Sequence, residues 1–386
     1  MSNYYSSDFK LGVLGGGQLG KMLLTETQKF DIHTAVLDKA ADAPCAKICH
    51  EFHQGDLMNF EDVYAFGKKV DLLTIEIEGV NVDALEKLEN EGLTVYPKPS
   101  ILRTIQNKAT QKAFFDSNNI PTSPFQRFET VEALKSAVSD GMVSIPFVWK
   151  SAQFGYDGMG VKIVKSESDL QNLADTECIA EALVPFKNEL AVIVARNANG
   201  NIKTYPVVEM EFHPEANQVE YVICPARIED SVAEKATKVA LSVAEAFDFV
   251  GLLAVEMFQT QDNEILVNEV APRTHNSGHY SIEASNTSQF EQHVRAVLNL
   301  PLGDTASKVA GVMVNLVGAE GHTGEVVYEG MDAILSKPGV TPHIYGKKQT
   351  RPFRKMGHVT IIHPDVNEAR KLAATVKQTI KVISKS

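Results

Sequence analysis

Two glutamates interrupt runs that are otherwise apolar: Glu256 within Leu252–Phe258 (L-L-A-V-E-M-F) and Glu269 within Ile265–Val270 (I-L-V-N-E-V). Each run reads as a strand, and a turn centred on Asp262–Asn263 sets the two glutamates opposite one another on one face of an antiparallel ladder. Like charges so placed among apolar neighbours are costly unless a cation lies between them. Hard oxygen ligands of this kind, with a nucleotide phosphate nearby, suit magnesium. Two solvated surface glutamates are the plainer alternative, and the apolar flanks on both strands argue against it. The polar stretch Ala271–His279 (A-P-R-T-H-N-S-G-H) follows directly. Arg273 offers a planar fork matched to a small carboxylate such as bicarbonate, and His275, Asn276 and Ser277 add neutral hydrogen-bonding groups.

Two glycine loops carry a second signal. Lys150 ends a strand, and Q-F-G-Y-D-G-M-G follows at Gln153–Gly160. Such a loop is longer than a plain hairpin turn needs and can fold over a triphosphate with its N–H groups pointing inward. Lys150 would supply a cation to the phosphates. Near the start, Gly15, Gly17 and Gly20 form G-x-G-x-x-G after a strand, and Asp38 closes the next strand 18 residues beyond Gly20. That is the dinucleotide fingerprint, and alone it favours an NAD-dependent oxidoreductase. A glycine turn at a helix N-terminus also offers its N–H groups to a sugar phosphate. Glycines that only let strand and helix pack closely are a third reading.

The elements that must position these residues fall into three parts. Lys10–Leu14, His33–Leu37, Asp71–Ile77 and Leu93–Tyr96 read as strands with helical segments between them, Gln18 to Lys29 among these, which implies a parallel sheet covered on both faces. Pro97, Pro99 and the capping residue Ser100 mark a boundary near residue 100. The middle reads as strands at Ile145–Lys150, Val161–Val164, Cys178–Ala182, Glu189–Arg196, Thr204–Met210, Val219–Cys224 and the two glutamate strands. Helices are expected at Lys108–Asn118, Ser168–Ala174, Ser231–Phe247 and Ile282–Leu298. Strands near Val309–Val317 and His358–Ile362 and a helix from about Asn367 complete the chain. The expected domains are 1–100, 101–300 and 301–386, in a mixed α/β and α+β architecture.

With 386 residues there is ample core for several domains. A net charge of −12 argues against a general nucleic-acid binder, which needs basic surface to neutralise phosphates. No apolar run approaches a membrane span, and M-S-N-Y-Y-S-S-D-F-K lacks the features of a signal peptide. Cys45, Cys49, Cys178 and Cys224 show no C-x-x-C spacing and read as reduced thiols of a cytoplasmic protein.

Several segments together resemble the ATP-grasp superfamily and, within it, the 5-(carboxyamino)imidazole ribonucleotide synthetases. They are G-G-G-Q-L-G-K-M near the start, E-I-E at Glu76–Glu78, G-Y-D-G-x-G at Gly155–Gly160, N-E-x-A-P-R-x-H-N-S-G-H at Asn268–His279, Tyr345-Gly346-Lys347, and R-K-M-G-H at Arg354–His358. The resemblance spans essentially the whole chain and implies an ATP-grasp fold with an N-terminal Rossmann-like (pre-ATP-grasp) domain and a small, β-rich C-terminal domain. It implies that Lys108, Lys150 and the loop Gly155, Tyr156, Asp157, Gly158, Met159 and Gly160 hold ATP. Glu181, Ala182, Leu183 and Val184 would contact adenine and Glu189 the ribose; His213 is carried over to the same site. Glu256 and Glu269 would bind magnesium, with Asn268 beside them. Tyr156, Asp157, Arg273, His275, Asn276 and Ser277 would form the bicarbonate and imidazole site. Gln18, Lys347, Arg354 and Lys355 would hold the ribonucleotide. Met159, Phe154 and Met210 depart from the family pattern without removing a metal ligand or the Arg273–His279 run.

The activity so implied is ATP- and bicarbonate-dependent carboxylation of 5-aminoimidazole ribonucleotide, a carbon–nitrogen ligation of purine biosynthesis. The partners would be small molecules, with neither nucleic acid nor membrane, and the assembly a homodimer. Another ATP-grasp ligase, such as the formate-dependent glycinamide ribonucleotide transformylase, would share the nucleotide site. An oxidoreductase built on Gly15–Asp38 would leave Glu256, Glu269 and Arg273–His279 without a task. A non-catalytic nucleotide-binding regulator would not need the intact acid pair.

Overall fold

The computed structural model describes residues 4, 6–153, 160–214, 216 and 218–385. The N-terminal third forms a five-stranded parallel sheet in the order Glu51–Gln54, His33–Asp38, Lys10–Leu14, Leu72–Ile75, Thr94–Tyr96. Its three inner strands, His33–Asp38, Lys10–Leu14 and Leu72–Ile75, are buried along most of their length, as a parallel sheet with both faces covered requires. Asn59 and Asn81 start the helices Phe60–Gly67 and Val82–Asn90, their side chains accepting the N–H of Asp62 and Ala84. Four of the five strands are those expected. The fifth, E-F-H-Q, is a short polar edge strand with no apolar run to announce it.

The middle of the chain builds two antiparallel sheets. One has the order Phe125–Phe128, Cys178–Ala182, Phe147–Ser151, Val161–Val164. The other runs Ile265–Ala271, Gly251–Thr260, Phe186–Arg196, Val208–Phe212, Val219–Cys224, with Ile202–Thr204 beside Phe186–Arg196. Through the Tyr221↔Val314 pairing it continues into Ala310–Val317, Lys355–His363 and Val340–Ile344, nine strands in all. Helix Asp230–Phe247 lays Val232, Ala236, Val243 and Phe247 on Leu190, Val192, Leu253 and Val255. This core covers one face of the sheet; alternate residues such as Glu189, Ala191 and Glu256 look the other way.

Three expected elements differ. The strand expected at Thr204–Met210 is two, Ile202–Thr204 and Val208–Phe212, because Pro206 has no N–H for the ladder. The helix expected at Ile282–Leu298 is Ser281–Ala284 and Gln289–Val297, the second restarted by Ser288, whose side chain accepts from the Glu291 N–H. The helix expected at Ser168–Ala174 is instead a 3₁₀ segment, Glu167–Asn172, with the capping box Ser166/Asp169.

The break at Ser288 matters for assembly. Helix Gln289–Val297 packs Phe290, Val294 and Val297 into the same core as Leu23 and Leu24 of helix Gln18–Thr27. The Ser288 hydroxyl donates to Glu26 (3.0 Å), and Thr74 bonds His293 (2.9 Å). The N-terminal sheet is thereby fixed against the element that follows Arg273–His279.

Candidate active site

The two glutamates meet, by a route the sequence reading did not foresee. The hairpin loop is Gln261-Asp262-Asn263: the Thr260 N–H donates to Glu264 O (2.9 Å), the Asn263 N–H to Thr260 O (3.1 Å), and Asn263 has φ +61°. This centres the turn on Asp262, half a step short of the expected centre. Continued unbroken, it would set Asn268 against Glu256. A bulge at Asn268 absorbs one residue, so Met257 faces Val267 while Glu256 faces Glu269. Ile265, Val267 and Val270 all belong to the helix-side core. Both residues between Val267 and Val270 therefore turn to the opposite face, and Asn268 joins Glu269 there.

Cations converge on this face. Lys108 pairs with Glu269. It opens helix Lys108–Ser117, whose start is fixed by the Asn107 side chain accepting from the Thr110 N–H. The Lys150 ammonium donates to Asn268 (2.9 Å) and pairs with Glu181 (2.8 Å). His275 Nε2 lies 3.5 Å from Glu256. Burial, and then the charges of Glu269 and Glu189, raise the Glu256 carboxyl well above its ordinary range. Lys108 holds Glu269 low, against burial. Burial lifts Glu189 to about 7, although Lys150 opposes it. Carboxylates this close to one another in a buried setting disfavour a second charge. Among the described residues no group of three or more His, Cys, Asp or Glu side chains is arranged to hold a metal. Two carboxylates completed by substrate phosphates are the donor set that suits magnesium.

Glu181 opens the stretch expected to contact adenine. Its side chain is buried and joins Lys150 to Lys112 (3.0 Å), so the carboxylate points into the interior. Burial would raise it, but the two lysines hold it below the usual range. Ala182, Leu183 and Val184 bridge the four-stranded sheet to strand Phe186–Arg196, with Ala182 and Leu183 exposed. Lys112 was missed by the sequence reading. Its signal was readable: it falls between Ala109 and Phe115 on the buried side of the helix, where an unpaired lysine is untenable.

The Arg273–His279 segment is held from behind by Gln289, which is fully buried. Its side-chain oxygen accepts the His275 N–H (2.9 Å), and its amide donates to His275 O (2.7 Å) and His279 Nδ1 (3.0 Å). The Ser277 N–H donates to His275 Nδ1 (3.3 Å), which places the neutral ring's proton on Nε2, toward Glu256. Asn276 exchanges amide hydrogen bonds with Asn315 (3.0 Å each way). Arg273 pairs with Glu78 of the N-terminal third (2.9 Å). Lys347 donates to Lys355 O (2.8 Å) and Arg354 to Gln349 O (2.5 Å), while the Lys355 charge acts on Glu256. His213 accepts the Ala216 N–H and its ring lies against Phe353 (5.9 Å), so it is drawn toward the C-terminal segment. The Gly160 carbonyl accepts the Ser151 N–H (2.8 Å). Gly155, Tyr156, Asp157, Gly158 and Met159 lie outside the described residues.

The N-terminal glycine loop is already occupied by the protein itself. Gly16 N–H donates to Asp38 (2.7 Å), and Gly17 and Gly20 N–H donate to Glu76 (2.7 and 2.8 Å). A Cβ at Gly17 would stand 2.5 Å from the Glu76 carboxylate. The glycines thus admit an acidic side chain, and Asp38 is engaged by its own backbone neighbours Gly16 and Ala40. The acid that a dinucleotide's ribose would need is thus already accepting two N–H groups of its own loop. Gln18 opens the helix beyond this loop.

An acid pair, a lysine on each flank and an arginine–histidine turn, mounted between two antiparallel sheets, define an ATP-grasp ligase. Family models agree segment by segment: the ribonucleotide synthetase preATP-grasp domain matches residues 9–106, the ATP-grasp domain 113–290, and the phosphoribosylaminoimidazole carboxylase C-terminal domain 311–372. The N5-carboxyaminoimidazole ribonucleotide synthase of Bacillus subtilis is 38% identical over 362 residues, which cover 93% of this chain and 92% of that protein. The chloroplastic phosphoribosylaminoimidazole carboxylase of Vigna aconitifolia is 39% identical over 361 residues, covering 91% of this chain. The chain spans only 64% of that longer relative. The crystal structure of N5-carboxyaminoimidazole ribonucleotide synthetase from Thermotoga maritima superposes with a TM-score of 0.89 at 43% identity, over 98% of this chain and 100% of that one. The Aspergillus clavatus enzyme in complex with ADP and 5-aminoimidazole ribonucleotide gives 0.86 at 33% identity, over 97% and 100%. The chain belongs to the N5-carboxyaminoimidazole ribonucleotide synthase family.

Proposed function

We propose that the protein carboxylates the 5-amino group of 5-aminoimidazole ribonucleotide, consuming ATP and bicarbonate and releasing ADP and phosphate, as a step of purine biosynthesis. The observation that carries this reading is the Glu256–Glu269 pair flanked by Lys108, Lys150 and His275 on one sheet face. Bicarbonate is a poor electrophile because hydroxide would have to leave its carbon. An oxygen of bicarbonate instead attacks the γ-phosphorus, ADP departs, and carboxyphosphate forms. The substrate amine then attacks its carbonyl carbon, and phosphate leaves.

Lys108, Lys150 and the Gly155–Gly160 loop hold the nucleotide, with its adenine at Glu181–Val184, its ribose at Glu189 and His213 at the margin. Their charge stabilises the in-line transfer, where positioning and electrostatics do most of the catalysis. Glu256 and Glu269 would hold a magnesium ion, which when bound offsets charge between carboxylates and phosphates. Arg273 orients bicarbonate. Asp157 takes the proton from the attacking amine, His275 directs its Nε2–H to the acid pair, and Tyr156, Asn276 and Ser277 frame the imidazole. Gln18, Lys347, Arg354 and Lys355 hold the ribonucleotide's phosphate end. Residues 1–100, 101–300 and 301–386 act as three units of one cytoplasmic homodimer. No described helix is long and apolar enough to cross a membrane.

The test is ADP release from magnesium-ATP and bicarbonate with and without aminoimidazole ribonucleotide. A large stimulation is expected. Stimulation instead by formate with glycinamide ribonucleotide would replace the acceptor and keep the nucleotide site.

A further inference from the structure

The buried ammonium of Lys112 bridges the two sheets between which the nucleotide is proposed to lie. It donates to Glu181 (3.0 Å) on the four-stranded sheet. It also donates to Thr122 (2.6 Å), whose hydroxyl in turn donates to Val267 O (2.7 Å), one residue before the Asn268 bulge. Thr122 also forms an isolated bridge with Val267. The other Glu181 oxygen pairs with the Lys150 ammonium (2.8 Å), and Lys150 donates to Asn268 (2.9 Å). The contacts close a ring: Lys112, Glu181, Lys150, Asn268, then back along the backbone through Val267 and Thr122.

We propose that Lys112 is a positioning residue for nucleotide binding: by bridging Glu181 and Thr122 it fixes where Lys150 stands relative to Asn268 and Glu269. This rests on the nucleotide site assigned above. Glu181 has room for two cations. With Lys112 gone, its carboxylate keeps only Lys150, draws that ammonium inward, and leaves the phosphates with a weaker partner. An apolar residue in place of Lys112 would also remove one of the few donors to a buried carboxylate, leaving it Lys150 and the Ser123 hydroxyl. Burial pulls Lys112 itself down to about 8, against Glu181, so the bridge is maintained at a cost that simple packing would avoid.

The test is equilibrium binding of magnesium-ADP by calorimetry, which needs no acceptor substrate, beside KM for ATP, kcat and the urea midpoint. Lys112→Met is expected to weaken ADP binding and raise KM for ATP about tenfold or more. The double variant Lys112→Met/Glu181→Gln removes cation and anion together and is expected to recover part of that loss. Thr122→Val, which strips one contact from Lys112 and is milder for folding, is expected to weaken binding about threefold. Unchanged binding in both Lys112→Met and Thr122→Val would overturn the inference. So would a double variant no better than Lys112→Met, because a purely packing role predicts no rescue. If Lys112→Met does not fold, Thr122→Val decides alone. Wild-type protein that binds no ADP would instead overturn the nucleotide site.

Discussion

The glycine loop at Gly15–Gly20 and the hairpin carrying Glu256 and Glu269 both bear the sequence mark of a phosphate-handling site, and they differ in which groups the fold has already satisfied. In the loop, three N–H donors are met by Asp38 and Glu76, so the positive end of helix Gln18–Thr27 faces carboxylates built into the chain. In the hairpin, two carboxylates face one another beside Glu189, and burial with mutual repulsion pushes Glu256 upward. Donors met by the chain's own acids, as at Gly16, Gly17 and Gly20, need no ligand to satisfy them. An uncompensated set marks a place that gains from a ligand of opposite charge.

The contrast can be broken most severely at the acid pair. Glu269→Ala removes one of the two facing carboxylates and the partner of Lys108. ADP release should fall roughly 100-fold or more, as for loss of a principal electrostatic group. Near-normal turnover would show that the acid pair is not needed. In the loop, Glu76→Ala strips the acceptor from two N–H groups and should destabilise the protein by about 2–4 kcal/mol, read from the urea midpoint. An unchanged midpoint would mean that the loop can serve its donors otherwise.

The smallest effect is a pH slope. The Glu189 carboxyl is raised from its ordinary value to about 7. Between those values the folded protein binds a proton that the unfolded chain has released, so stability falls as pH rises toward 7 and levels off above it. Glu189→Gln should flatten that part of the unligated protein's stability–pH curve. The same slope in the variant would assign it to another group.

The sequence carried much of this. Apolar runs located Lys10–Leu14, Val219–Cys224 and both glutamate strands because buried strands must be apolar. The glutamate pairing was also correct, although two half-steps of register cancelled. The assumed turn centre lay half a step too far along the chain and the bulge was unforeseen, because neither a left-handed Asn263 nor an extra residue at Asn268 changes the apolar pattern. Long-range charge pairing was the least legible. Nothing local says that Glu76 will cap Gly17, that Glu78 will meet Arg273, or that Glu181 will turn inward to Lys112. Those depend on how separate sheets are docked, which period and spacing do not encode.

The central claim is that bicarbonate, rather than water, is the nucleophile toward the nucleotide held at the Glu256–Glu269 hairpin. It is tested by single-turnover reaction with bicarbonate labelled with oxygen-18 on all three oxygens, in the presence of aminoimidazole ribonucleotide, followed by mass analysis of the phosphate released. The account predicts one labelled oxygen in each phosphate, because the P–O bond made in forming carboxyphosphate survives when its C–O bond breaks. Unlabelled phosphate would contradict it, leaving water as the attacking group.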